Sequence, residues 1–107
     1  MNKKFAITSA GKTEKSFLDL RFGKCENVVL YNATDDQFSI VENPYKELEH
    51  SGVNLVRFLQ EEGVSTIITG EVGPKVSALL EKEKLQLVLL KEERIKIEEI
   101  LARIRNK

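Results

Sequence analysis

Residues 65–74 read Ser-Thr-Ile-Ile-Thr-Gly-Glu-Val-Gly-Pro. The first five form a continuous run rich in β-branched side chains, which is typical of a strand covered on both faces of a parallel sheet. Gly70 interrupts the run, and Pro74 suits the first position of a helix. A buried strand that leads through a glycine-rich turn into a helix indicates an α/β fold.

The same alternation of strand and helix continues on both sides of this stretch. Residues 52–62 predict a helix, because apolar residues recur three and four positions apart. Residues 85–90 predict another buried strand, and a last helix should begin at about Glu93. The inward positions of that helix, at i, i+3, i+4 and i+7, are Ile97, Ile100, Leu101 and Ile104.

Nearer the amino terminus the pattern predicts three strands. Residues 5–9 form a short apolar run that ends in a turn, whereas residues 12–24 are polar and irregular. Residues 28–31 and 38–41 are rich in β-branched and aromatic side chains, and the Asn and Asp residues between them suit a hairpin. Hairpin strands are antiparallel, and strands joined through helices are parallel by right-handed crossovers. We therefore expect one α/β domain over residues 1–107, with a mixed five-stranded sheet in the order 3-2-1-4-5 and three helices.

The composition excludes several classes of protein. A chain of 107 residues fits one domain, and its 17 basic and 17 acidic residues create no global field towards nucleic acid or an anionic membrane. The first apolar run is too short for a signal-peptide core, and no stretch has the roughly 18 apolar residues of a membrane span. The single cysteine cannot form an internal disulfide, so we expect a cytoplasmic protein with a free thiol.

The expected topology collects the helix starts and the glycine-rich turns at one rim of the sheet. Ligands of open α/β sheets bind outside the carboxyl ends of the strands where the connection direction switches, here between the first and fourth strands. Helix starts near Gly52 and Pro74 would present unpaired N–H groups there, and neighbouring glycines let a ligand approach the backbone. The rim is therefore predicted to bind an anion, such as a phosphate or a metal–sulfide cluster.

Two residues near this rim are candidate metal ligands. Cys25 follows Gly23 and Lys24 at the foot of the second strand, and a thiolate is a common ligand of iron–sulfur clusters. The neighbouring cations Arg21 and Lys24 would lower the pKa of this thiol. The alternative is that Cys25 is a small buried hydrophobe. His50, in the loop before the first helix, could ligate a metal, be solvated or cap the helix.

Three further residues of the expected rim are charged. These residues, which are Glu71, Lys12 and Lys75, could contact a ligand or only water.

The motifs of several enzyme classes are missing. The sequence has no phosphate-loop, dinucleotide-binding or nucleophile-elbow motif. The first strand carries Thr8 and Ser9, where a nuclease of this strand order would need carboxylates for two metal ions. We therefore assign no catalytic residue and do not expect an enzyme.

Residues 19–25, Asp-Leu-Arg-Phe-Gly-Lys-Cys, are similar to the Asp-x-Arg-Phe-Gly-Arg-Ala/Cys segment of the dinitrogenase iron–molybdenum cofactor biosynthesis family, in its stand-alone, NifX-like members. Lys24 stands where that family has arginine, and His50-Ser51-Gly52 where relatives often have Gly-Ala-Gly. The resemblance covers roughly residues 4–90. Its other landmarks are Glu42-Asn43-Pro44, Gly52-Val53, Gly63-Val64 and residues 69–74.

The resemblance implies a ribonuclease-H-like three-layer fold without nuclease activity. It also implies binding of iron–molybdenum cofactor, its precursor or another metal–sulfur cluster during the assembly or delivery of that cluster. The natural partners of such a protein are cluster donor or acceptor proteins.

From the residues and the resemblance together we expect a non-enzymatic carrier or scaffold of a metal–sulfur cluster, present as a monomer or weak homo-oligomer. Cys25 and His50 would be the metal ligands. Two alternatives are a binding module for a phosphate-bearing metabolite at the same helix starts and a protein-docking domain without a small ligand. The cofactor-binding residues of the expected site are Ser9, Gly11, Arg21, Gly23, Gly52, Gly70 and Gly73.

Overall fold

The computed structural model describes residues 3–92 and 94–106. These residues form five strands and three helices. The elements are β1 (Lys4–Ser9), β2 (Asn27–Asn32), β3 (Gln37–Glu42), α1 (Ser51–Glu61), β4 (Thr66–Thr69), α2 (Pro74–Lys82), β5 (Gln86–Leu89) and α3 (Ile97–Arg105).

The five strands form one mixed sheet in the order β3-β2-β1-β4-β5. β2 is antiparallel to both of its neighbours, whereas β4 is parallel to β1 and to β5. The predicted strand order and the predicted directions are therefore confirmed. β1 and β4 are adjacent at the point where the chain changes from hairpin connections to helical crossovers.

Two hydrophobic cores lie on opposite faces of the sheet, because successive side chains of a strand point to opposite faces. On one face Ala6 and Ile67 pack with apolar residues of α1 and α2. On the other face Ile7 and Ile68 pack with apolar residues of α3. All four residues of β4 are buried, as expected for a strand covered on both sides. The result is a helical layer on each side of the sheet.

Several predicted boundaries were wrong. The last helix begins at Ile97, not at about Glu93, which lies outside the described residues. α1 begins and ends one residue earlier than predicted. The fifth strand is shorter than predicted and only half-buried, because it lies at the edge of the sheet, and Leu89 there is 45% exposed.

The segment of residues 12–24 is more ordered than its polar composition indicates. Leu18 and Phe22 are buried, one in each core. Isolated β-bridges pair Leu18 with Ser9 and Arg21 with Glu71. The segment therefore crosses the end of the sheet and brings its charged residues to the rim. Among the described residues, no helix is both long enough and apolar enough to cross a membrane.

Candidate functional site

A concave pocket of about 430 Å³ lies just beyond the carboxyl end of β4, and we call it the rim pocket. Residues 21–24 form one wall. The other walls are Ser51 and Gly52 at the start of α1, and residues 71–73 with Val76 at the start of α2. Three segments that are far apart in the sequence therefore meet at the rim that the topology predicts for a ligand.

Glycines allow these three segments to approach one another. A Cβ atom on Gly23 would lie 2.6 Å from the backbone nitrogen of Gly52 and 2.7 Å from Ser51 Oγ. A Cβ atom on Gly52 would lie 2.5 Å from Val76 Cγ2. Real side chains do not tolerate such distances, so glycine at both positions is required for the close packing of the loop, α1 and α2.

Both helices present uncapped amino termini at this pocket. The residues at the N-cap positions, His50 in α1 and Gly73 in α2, make no side-chain capping hydrogen bond. The first N–H groups of a helix have no acceptor within the helix and carry the positive end of its dipole. The pocket is therefore favourable for an anion even before charged side chains are considered.

Arg21 is the best-fixed cation of the pocket. Its Nε and Nη2 atoms donate to the two carboxylate oxygens of Asp19 at 3.1 Å each. Asp19 is buried, whereas the Arg21 side chain is 55% exposed. The hydrogen bond and the charge of Asp19 raise the pKa of Arg21, so the guanidinium keeps its positive charge.

The other charged residues of the pocket differ in role. Lys24 Nζ donates to the carbonyl oxygen of Leu48 at 2.8 Å, which ties the loop to the segment before α1. Glu71 pairs through its backbone with Arg21, and its side chain is exposed. Two cations and one carboxylate thus line the pocket, with Asp19 behind Arg21.

Cys25 lies below the pocket rather than in its wall. The side chain is 0% exposed and packs in the core between the sheet and the first two helices. Burial, followed by the nearby charge of Asp19, raises the pKa of the thiol to about 12, although Asn43 Nδ2 donates to Sγ at 3.6 Å. The expected lowering of this pKa by Arg21 and Lys24 does not prevail: the charge of Arg21 does lower the pKa of the thiol, but desolvation outweighs it.

His50 is exposed at the start of α1, where its carbonyl oxygen accepts hydrogen bonds from Asn54. It does not line the rim pocket. Among the residues that the structure describes, no group of three or more His, Cys, Asp or Glu side chains could hold a metal ion. Of the two predicted metal ligands, Cys25 is buried in the core and His50 is exposed, and neither lines the rim pocket.

The predicted cofactor-binding residues divide into two sets. Ser9 and Gly11 lie outside the pocket. There, Ser9 Oγ donates to the carbonyl oxygen of Gly11 at 2.8 Å and closes the turn after β1. Gly70 lies beside the pocket, where an added Cβ would be 2.6 Å from Leu20 Cα. The residues that do line the pocket are Arg21, Gly23, Gly52 and Gly73.

Sequence reasoning missed Ser51 and gave Asp19 little weight. Serine at a helix start is usually assigned to capping, so its place in the pocket wall gives no separate sequence signal. The Asp-x-Arg spacing of Asp19 and Arg21 was visible, but only the fold shows that the carboxylate is buried and the guanidinium is exposed.

A mixed sheet with helices on both faces, and a rim pocket lined by Arg21, Lys24 and two helix starts, define a small α/β protein with a candidate anion-binding site. The sequence match is more specific. Residues 3–107 match the family described as dinitrogenase iron–molybdenum cofactor, and the chain belongs to this family.

Two solved structures show the same fold. The orange protein from Desulfovibrio gigas, determined in its apo form, is 24% identical with a TM-score of 0.86, over 97% of this chain and 88% of that chain. A Thermotoga protein provisionally described as a NifB protein is 23% identical with a TM-score of 0.78, over 97% of this chain and 88% of that chain. No curated protein sequence matches this chain.

Proposed function

We propose that this protein binds and carries a metal–sulfur cluster of the iron–molybdenum cofactor type at the rim pocket, without catalysing a reaction. The observation that carries the proposal is the convergence of Arg21, Lys24 and two uncapped helix starts in one pocket of a chain that belongs to this family. Metal–sulfur clusters are generally anionic, and their sulfur atoms accept hydrogen bonds. The ligand and the pocket are therefore complementary in charge and in hydrogen bonding.

In this proposal the cluster is held by charge and N–H groups, and not by a thiolate. Cys25 is buried and neutral, and its ligation of a metal would require the loss of its contact with Asn43 and the opening of the core. The roles of Cys25 and His50 as ligands therefore remain predictions. A cluster without a covalent protein ligand is suited to transfer, because its release breaks only hydrogen bonds and ion pairs.

The relatives support a ligand-binding role. The family is named after the iron–molybdenum cofactor, and one protein of the same fold was determined in an apo form. We further propose that cluster donor and acceptor proteins in the cytoplasm are the partners of the chain.

A phosphate-bearing metabolite is the second candidate ligand. The same observation favours it, because helix amino termini and arginine forks bind phosphate as readily as other tetrahedral anions. The two candidates differ in whether metal and sulfide are needed for binding.

Anaerobic reconstitution with iron, sulfide and molybdate tests the proposal, with metal content and visible absorption as the measurements. We expect a stoichiometric chromophore in the wild type and in Cys25→Ser, and a weaker one in Arg21→Gln and Lys24→Gln. Lys82→Gln, at the opposite end of α2, is the matched control for the loss of one positive charge.

Each alternative outcome has a defined meaning. A chromophore that is lost in a folded Cys25→Ser variant would show thiolate ligation and contradict the proposed binding mode. Colourless, metal-free wild type that binds phosphate would favour the metabolite. Wild type that binds neither would leave the protein-docking function.

A further inference from the structure

We propose that Asp19 is a positioning residue that holds the guanidinium of Arg21 in the rim pocket, so that Arg21 and the hydroxyl of Ser51 together bind one tetrahedral oxo- or sulfido-anion group. This inference rests on the proposed function, since it names the part of the ligand that the same pocket recognises.

The carboxylate of Asp19 is used entirely for holding its neighbours. Oδ1 accepts from the backbone nitrogen of Arg21 at 3.0 Å and from its Nε at 3.1 Å. Oδ2 accepts from Arg21 Nη2 at 3.1 Å and from the backbone nitrogen of Glu26 at 3.2 Å. Four hydrogen bonds use about all the lone-pair sites of a carboxylate. Asp19 therefore fixes both the backbone and the side chain of Arg21, and it has no capacity left for a ligand.

Arg21 keeps a second pair of donors for the ligand. A guanidinium has five N–H groups, and Asp19 takes one from Nε and one from Nη2. The remaining N–H groups, on Nη1 and Nη2, have no acceptor among the described residues, and the side chain is 55% exposed in the pocket wall. Two N–H groups on adjacent nitrogens form a fork that matches two oxygen or sulfur atoms of one anion.

Ser51 supplies an independent donor in the same pocket. The residue is 96% buried, since only 4% of its surface is exposed, and its hydroxyl has no hydrogen-bond partner among the described residues. Among the described residues, every side-chain nitrogen or oxygen that is fully enclosed has a hydrogen-bond partner. Because the Ser51 hydroxyl has no such partner, it is not fully enclosed, and it opens onto the pocket that Ser51 lines. The hydroxyl is therefore free to donate a hydrogen bond to a ligand in the pocket.

The donors favour a tetrahedral group over a planar one. The fork of Arg21 takes two acceptor atoms, and the Ser51 hydroxyl and the N–H groups at the start of α1 remain for others. A planar carboxylate would fill only the fork. A tetrahedral anion presents further acceptors in other directions, whether it belongs to an oxometalate, to a metal–sulfur cluster or to a phosphate.

The Asp19→Asn variant gives opposite predictions for positioning and for charge alone. The variant removes a negative charge beside the pocket, and by charge alone this should tighten anion binding. An asparagine, however, has one acceptor oxygen in place of two, and its NH2 group would face one pair of the four N–H donors that Asp19 accepts. If positioning dominates, the affinity for an anion should fall by about tenfold or more, as for the loss of a hydrogen bond to a charged group.

The test is a calorimetric titration of the full chain with molybdate and, separately, with inorganic phosphate. We expect Asp19→Asn and Arg21→Lys each to weaken binding by about tenfold or more, and Ser51→Ala by a smaller factor. In an Arg21→Gln background, Asp19→Asn should cause no further loss, because Asp19 acts only through Arg21. Thermal unfolding of each variant shows whether it is folded at the temperature of the titration.

Unchanged or tighter binding by Asp19→Asn, or a loss that persists in the Arg21→Gln background, would overturn the inference. If Asp19→Asn does not fold, Arg21→Lys decides, since it keeps the charge and loses the fork, and unchanged affinity of that variant overturns the inference. Wild type that binds phosphate but gives no chromophore on anaerobic reconstitution would leave the inference standing and contradict the proposed function. Wild type that binds neither anion would overturn the inference, and the reconstitution would decide the proposed function separately.

Discussion

The burial of Cys25 leads to a quantitative prediction for the reactivity of its thiol. With a pKa of about 12 in place of the ordinary 9.0, the thiolate fraction at pH 8 falls from about 0.1 to about 10⁻⁴, a factor of ~1000. A thiolate of higher pKa is more nucleophilic, which returns a factor of ~20 for a Brønsted coefficient of about 0.45. Alkylation of the folded protein should therefore be at least ~50-fold slower than that of an ordinary exposed thiol, and steric burial will slow it further.

The assay is iodoacetamide labelling followed by mass spectrometry of the intact protein. A double variant, Cys25→Ser with Lys82→Cys, places an exposed thiol on the same fold and sets the reference rate. The labelling rate of Cys25 should also rise about tenfold per pH unit between pH 7 and pH 9 without a plateau, because the pKa lies above this range. Labelling of folded wild type within about threefold of the reference rate would refute the reasoning and restore Cys25 as a candidate cluster ligand.

Three further predictions concern stability and the pocket. Gly23→Ala should destabilise the fold by about 1–3 kcal/mol through its clash with α1 and weaken anion binding. Gly73→Ala places no atom within 4 Å of the added Cβ, so it should cost about 1 kcal/mol or less, as alanine in place of glycine at an N-cap; urea unfolding compares the two. Asn43→Ala should cost about 3 kcal/mol in the same assay, because it leaves buried backbone groups without partners. The hydrogen bond from Arg105 lowers the pKa of Asp36, so the stabilisation from this pair is present above the pKa of the unfolded aspartate and is lost as the pH falls. The difference in melting temperature between wild type and Asp36→Asn should therefore shrink as the pH falls below about 4, and a difference independent of pH would contradict this assignment.

Strand order could be predicted from the sequence because local patterns and connection rules agree. The run that ends at Thr69 is buried on both faces, and Pro74 starts the next helix at the predicted residue. The edge strand was harder, because an apolar run such as that around Leu89 looks the same at the centre and at the margin of a sheet. The number of layers above a strand depends on elements distant in the sequence.

The candidate site was predictable in location but only partly in composition. Glycines at helix starts signal close approach, and Gly52 was found for that reason, whereas Gly23 was found in the segment of residues 19–25 that resembles the family. The state of Cys25 was not predictable, because its pKa depends on burial by α1 and α2 and on Asn43, 18 positions away. Adjacent cations in the sequence suggested a reactive thiol, while the three-dimensional neighbours determine an inert one.

The three walls of the rim pocket come from positions near 22, 51 and 73, so the pocket exists only when the sheet and both crossover helices are in place. A ligand bound there interacts with the native chain and not with the unfolded one, and it therefore shifts the folding equilibrium. At a free ligand concentration of 100 times the dissociation constant this shift is about 2.7 kcal/mol. The ligand-bound protein should accordingly survive proteolysis longer than the ligand-free one, and in a cell the amount of this protein would follow the supply of its ligand.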